Sequence, residues 1–230
     1  MRSLVRCSLP LLAFTFSLAA AQGGGLYGPG MPDDAAFIRV VHAVPDGPEV
    51  TVTVGGGLTG ETLAFGMATA YELVLSGPTP VLIEFDDGGN ETGGDTLETT
   101  VEIMVEVMAE SFYTVALTGR AEAPELLVIE DEVTDNLAQS LLSLYNFTEH
   151  DLDLMTAGGE TEVVTGVGFG EAKGVQVNPV TVALAVFFEG EPLYELGEVG
   201  LEAGEAYSVI VFGPPGTEGA VSLVRAASRD

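Results

Sequence analysis

Two histidines, one cysteine and no tryptophan leave this 230-residue chain few side chains for catalysis or for holding a metal. Imidazole exchanges a proton near neutral pH more readily than any other unperturbed side chain, so His42 and His150 come first. His42 closes the apolar stretch Phe37-Ile38-Arg39-Val40-Val41. Its counterpart in a second copy of the same unit, described below, is Asn146, which cannot take over acid–base work. A strand-end hydrogen-bonding role is therefore expected for His42. His150 stands between Glu149 and Asp151, but sequence neighbours on a strand point to opposite faces. No Ser lies in a G-x-S-x-G elbow, and no catalytic residue is assigned. Zinc, haem and iron–sulfur sites lack their ligands, and no cofactor is expected.

Carboxylates supply what other chemistry there is. Asp86, Asp87, Asn90 and Asp95 lie in a Gly-rich loop that could turn oxygen ligands toward Ca²⁺. The loop lacks the D-x-D-x-D-G spacing with its closing Glu. It is expected to be a solvated hairpin loop, a weak calcium candidate, and no metal site is assigned. Glu102 and Glu106 share one face of Val101–Val107 and are expected to face solvent and guard an edge from aggregation. Asn90-Glu91-Thr92 and Asn146-Phe147-Thr148 fit the glycan sequon.

Composition narrows the partners. Seven Lys and Arg against 35 Asp and Glu give a net charge of −28. That balance cannot build the basic face a nucleic-acid binder needs. A hydrophobic content of 47% with 18% charged residues excludes a disordered, core-poor chain, and 30 Gly with 12 Pro argue against a coiled coil.

These residues must be positioned by β-structure. Residues 1–21 read as a signal peptide: Arg2 and Arg6, then an apolar run from Leu9 to Leu18, then Ala19-Ala20-Ala21 before Gln22. Cleavage there removes Cys7 as well and leaves five cations, 35 acids and no cysteine. No other stretch is apolar and long enough to span a bilayer, so an exported, periplasmic or extracellular protein without a transmembrane segment is expected. Short apolar runs follow between Gly, Pro, Asn and Asp clusters: Phe37–Val41, Val50–Val54, Val81–Phe85 after Pro78 and Pro80, Val101–Val107, Tyr113–Leu117 and Leu126–Ile129. A second set comprises Leu141–Phe147, Leu152–Met155, Val175–Val177, Val182–Phe188, Tyr207–Phe212 and Val221–Val224. Asp131–Leu142 is the one stretch that could take up a short helix.

The two sets are copies of one unit. Ile38, His42 and Phe65-Gly66 answer Leu142, Asn146 and Phe169-Gly170. Further along, Tyr113 and Gly119 answer Tyr207 and Gly213. The expected organisation is all-β: two tandem antiparallel β-sandwiches, immunoglobulin-like or jelly-roll-like, at residues 37–134 and 135–230. An extended N-terminal segment, 22–36, precedes them.

Leu26-Tyr27-Gly28-Pro29 running into Ala36-Phe37-Ile38-Arg39-Val40-Val41-His42-Ala43 resembles the mature start of the alginate O-acetylation protein AlgF family. Leu152-Asp153-Leu154-Met155-Thr156-Ala157-Gly158-Gly159, Asn178-Pro179-Val180-Thr181-Val182 and Leu201-Glu202-Ala203-Gly204-Glu205-Ala206 resemble its second half. The opening Arg39–Val50 is also similar to an uncharacterised bacterial surface sandwich domain, DUF4397-like. The AlgF resemblance implies a periplasmic accessory protein for O-acetylation of an exported polymer such as alginate. Its implied partners are a membrane O-acyltransferase and SGNH-type acetyltransferase-like proteins, with the polysaccharide as a further candidate. It brings no nucleophile with it. The rival expectation is a structural or adhesive surface protein with no acetylation role. Tyr27 and Met31, in a proline-stiffened segment, are the expected partner contacts, because aromatic and Met residues are enriched in interfaces.

Overall fold

The computed structural model describes residues 32–45, 47–57, 60–85, 100–134, 136–213 and 220–227. Regular structure among them is entirely β. The first unit holds β1 (Ala35–His42), β2 (Val50–Val54), β3 (Glu61–Leu63), β4 (Glu72–Leu75), β5 (Gly77–Phe85), β6 (Thr100–Val107), β7 (Phe112–Arg120) and β8 (Ala123–Glu130). The second holds β9 (Ser140–Phe147), β10 (Leu152–Thr156), β11 (Glu162–Val167), β12 (Glu171–Val177), β13 (Val180–Phe188), β14 (Glu191–Leu201), β15 (Glu205–Phe212) and β16 (Ala220–Ala227).

Each unit is a sandwich of two four-stranded sheets. In the first the orders are β3-β2-β5-β6 and β4-β1-β7-β8; in the second they are β11-β10-β13-β14 and β12-β9-β15-β16. Alternation decides which residues turn inward. In β2 the valines 50, 52 and 54 are buried and the threonines between them are half-buried. They meet Ile38, Val40, Ile83 and Val115 in one core. Leu142, Leu144, Leu154, Val186 and Val209 build its counterpart in the second unit. β1 and β9 are buried at every position, because their outward residues enter a third cluster. There Val41, Ala43 and Ala116 of the first unit pack with Tyr145, Phe147, Ile210 and Phe212 of the second. The inner sheets thus meet face to face, and the protein is four sheets deep.

The sandwich fold agrees with the sequence, with three corrections. First, two sheets are mixed: β1 runs parallel to β7, and β9 parallel to β15. Alternation looks the same in parallel and antiparallel strands, and the long crossovers between these strands leave no local signature. Second, the described residues of the stretch Asp131–Leu142 form no helix; the Asp131 side chain is held at the junction of the units, and β9 begins at Ser140. Third, β3, β4, β11 and β14 escape the apolar-run criterion, because they are short, or glutamate-rich and mostly exposed. β5 also starts at Gly77 and contains Pro78 and Pro80. β6 pairs with β5 across both prolines, whereas β2 reaches only Val81–Phe85. The Pro80 carbonyl turns to the β2 side, where it accepts from the Gly55 N–H at 2.9 Å, so the prolines' missing donors fall where β2 does not extend.

The repeat survives in backbone detail. Gly66 and Gly170, and likewise Gly119 and Gly213, share left-handed φ angles between 67° and 84°. The Tyr113 and Tyr207 hydroxyls accept from the N–H groups of Met108 and Glu202, both at 3.2 Å.

Candidate functional site at the junction of the two sandwiches

Residues near the C-terminal ends of β1 and β9 govern how the strands leave the sheets. His42 Nδ1 accepts from the Val44 N–H at 3.3 Å, which leaves its proton on Nε2 to donate to the Pro48 carbonyl at 2.9 Å. Burial lowers the imidazole pKa, and the Pro48 hydrogen bond offsets this only in part. The ring is neutral and both nitrogens are engaged. Asn146 does the same work: its Oδ1 accepts from the Thr148 N–H at 2.8 Å, and its Nδ2 donates to the carbonyls of His150 and Val167. The His42 and Asn146 carbonyls accept from Gly66 and Gly170 at 2.9 and 2.8 Å. The strand-end reading of His42 describes what these atoms do. Asn146 is fully buried, so its sequon is closed to a glycan. The His150 ring packs against Phe188, with centroids 4.4 Å apart and the planes tilted by 35°.

A buried polar network lies at the centre of the junction. Asp131 accepts from the Tyr71 hydroxyl at 2.7 Å, the Tyr145 hydroxyl at 2.9 Å and the Thr114 hydroxyl at 2.8 Å. Arg39, 1% exposed, donates Nε to Thr114 Oγ1 at 2.8 Å. Its guanidinium lies over the rings of Tyr71 and Tyr145, 4.8 and 4.7 Å from their centroids; Nη1 and Nη2 make no hydrogen bond among the described residues. Burial opposes the Arg39 charge, but Tyr71, Tyr145 and Asp131 together outweigh it, and its pKa is raised. Both tyrosines are driven well above the ordinary phenol range, by burial first and by Asp131 second. A carboxylate with three donors thus stands beside a guanidinium that is hydrogen-bonded through Nε and faces the π-electron density of two rings. Since Tyr145 comes from the second sandwich, the network fixes one sandwich against the other. Arg39 carried no signal in the sequence beyond being a cation in an apolar strand whose counterpart is Ser143.

Past the ends of β1 and β9, away from the network, the junction opens into a cleft of about 820 Å³. Ala43, Val44, Pro45, Phe147 and Phe169 supply apolar wall; Thr118, Thr148, Arg120, Glu122, Glu149 and His150 supply polar groups. Phe169 is 51% exposed. Arg120 makes no ion pair among the described residues, whereas Lys173 and Arg225 pair with Glu171 and with Glu202 and Glu205. Of the candidate residues weighed in the sequence, His150 and its neighbour Glu149 line this cleft, as do Phe147 and Thr148 of the second sequon. Glu102 and Glu106 are exposed on β6, an edge strand. Tyr27 and Met31, and the loop with Asp86, Asp87, Asn90 and Asp95, lie outside the described residues. No group of three or more His, Cys, Asp or Glu among the described residues could hold a metal. No helix among them is long and apolar enough to cross a membrane.

Comparison with known proteins yields relatives over nearly the whole chain. The alginate biosynthesis protein AlgF of Pseudomonas syringae pv. tomato is 29% identical over 90% of this chain and 84% of its own. That of Pseudomonas fluorescens is 30% identical over 86% and 82%. That of Pseudomonas aeruginosa is 27% identical over 97% and 94%. Residues 36–148 match a domain of unknown function, DUF4397. The solved C-terminal domain of AlgF from P. aeruginosa is 32% identical over 39% of this chain and 99% of its own, with a TM-score of 0.36.

Proposed function

The chain belongs to the AlgF family of alginate biosynthesis proteins, and from that premise we propose that it is an exported accessory protein for O-acetylation of alginate or a similar exopolysaccharide. It works by contact and carries no acetyl-transfer chemistry of its own. The observation that carries this reading is the equivalence of His42 and Asn146: the His42 imidazole is spent on a hydrogen-bonding task that an asparagine performs in the sister sandwich.

The charge favours protein partners over polymer. A net charge of −28 repels a polyuronate chain and attracts basic protein surfaces. The partners proposed are a membrane O-acyltransferase and SGNH-type acetyltransferase-like proteins. The leader, residues 1–21, sends the chain to the periplasm or beyond. The segment that follows adds Tyr27 and Met31 as contacts, and deletion of residues 22–31 separates their roles. A large fall in melting temperature makes the segment structural. An unchanged melting temperature with lost acetylation makes it an interface.

Deleting the gene in its own host and measuring acetyl ester per uronate tests the whole reading. Polymer still exported, with its acetyl content lost and then restored by the wild-type gene, is expected. Polymer acetylated as before would reject the acetylation role and favour a structural or adhesive one.

A further inference from the structure

The cleft has a counterpart that is already filled. Across the repeat, Ala43, Thr118 and Phe169 answer Phe147, Phe212 and Phe65. The register supports the match: Val41 pairs with Ala116 in the first unit, and Tyr145 pairs with Ile210 in the second. Phe65, Phe147 and Phe212 form an aromatic trio between the sandwiches, with Phe212 6.0 Å from Phe65 and 6.3 Å from Phe147. At the mirror position Ala43 and Thr118 stand where the other copy has phenylalanines. The volume they leave is the cleft, and Phe169 stays 51% exposed at its edge. A half-exposed aromatic ring over an apolar hollow is a surface that a partner completes.

We propose that this cleft receives an extended segment of a basic partner protein, whose aromatic or long aliphatic side chain enters the space beside Phe169, Thr118 and Ala43. This rests on the contact role proposed above and assigns it a surface. Charge selects the class of occupant. Glu122 and Glu149 oppose the single cation Arg120, within a chain of net charge −28. Lysines or arginines flanking the anchor meet the two glutamates, and Arg120 is left to donate to the segment's backbone carbonyls. A uronate oligomer would set its carboxylates against Glu122 and Glu149.

The test uses the exported full chain, isotopically labelled, and a blocked pentapeptide alternating lysine with phenylalanine and leucine. The controls are the same peptide with glutamate in place of lysine, and an oligomannuronate. The basic peptide is expected to shift the amide resonances of Thr118, Arg120, Thr148 and Phe169 and to bind more weakly as salt rises. Phe169→Ala should weaken it about tenfold at unchanged melting temperature. Glu122→Gln with Glu149→Gln should remove most of the salt dependence while keeping the apolar contact. Shifts elsewhere only, equal shifts from the acidic peptide, or binding of the oligomannuronate alone would overturn the proposal. In cells, a Phe169→Ala gene that fully restores acetylation to the deletion strain would also overturn it while leaving the accessory role intact.

Discussion

Removing the carboxylate at the centre of the junction, as Asp131→Ala, should cost more than any other single truncation there. The residue is 7% exposed and accepts hydrogen bonds from Tyr71, Tyr145 and Thr114. Its charge also faces the buried Arg39 across Thr114. Removing one partner of a buried charge pair costs about 3–5 kcal/mol. Two orphaned tyrosine hydroxyls each add up to roughly 1–3 kcal/mol where they find no new partner. A loss of about 4 kcal/mol or more follows. With a urea m-value of about 2 kcal/mol per molar, the midpoint should fall by roughly 2 M. Tyr145→Phe keeps the ring over Arg39 and removes one donor to a charged acceptor, for a loss of about 1.5–3 kcal/mol. In a cycle with Asp131→Ala the tyrosine change should be nearly silent. Wild-type unfolding, followed by tyrosine fluorescence and by far-ultraviolet circular dichroism, should give one coincident transition. Asp131→Ala should separate the two sandwiches into two steps. A midpoint shift worth less than about 1 kcal/mol, with a single transition, would refute the idea that this network couples the sandwiches.

Three further outcomes follow from the repeat and the packing. His42 is buried with a lowered pKa, so below the usual histidine pKa of about 6.5 the unfolded chain binds a proton that the folded one excludes, and stability falls as pH drops; His42→Asn, copying Asn146, should flatten the change in urea midpoint between pH 7 and pH 5.5. Glu110 has φ 61° where its counterpart Gly204 has 76°, so Glu110→Gly should stabilise by about 0.5–1 kcal/mol and Gly204→Ala destabilise by about 1–2 kcal/mol in thermal melts. Phe212→Ala should cost about 3–5 kcal/mol in urea titration, because the ring is fully buried between Phe65 and Phe147.

The strands most legible in the sequence are those with one face on a core. The valines of Val50–Val54 and the glutamates of Val101–Val107 announce which side is which, because burial imposes a two-residue period. The repeat was equally legible, since Gly66 and Gly170 each answer a turn that only a left-handed backbone can make. What could not be read was anything created by one sandwich meeting the other. Arg39 looks like an isolated charge in an apolar strand, and its meaning comes from Tyr145 and Asp131, remote in sequence. β1 and β9 showed two apolar faces, but nothing local said that the second face of each lay against the other unit. The cleft was invisible for the same reason: it depends on small residues at Ala43 and Thr118 opposite Phe169, a mismatch that appears only when the copies are superposed in register. Edge strands such as β14 stayed hidden because solvent exposure removes the pattern on which recognition rests.

The claim that the protein acts by contact, without acid–base chemistry at the His42 imidazole, is tested most directly by complementing the deletion strain with a gene carrying His42→Asn. His42→Asn keeps the strand-end hydrogen bonds in the form Asn146 already uses, and the imidazole is gone. Acetyl ester per uronate in the exported polymer is the quantity to measure. The account predicts full restoration to the wild-type level, with the variant exported in normal amount. Normal export with acetylation no higher than in the deletion strain would contradict it and make His42 part of the chemistry.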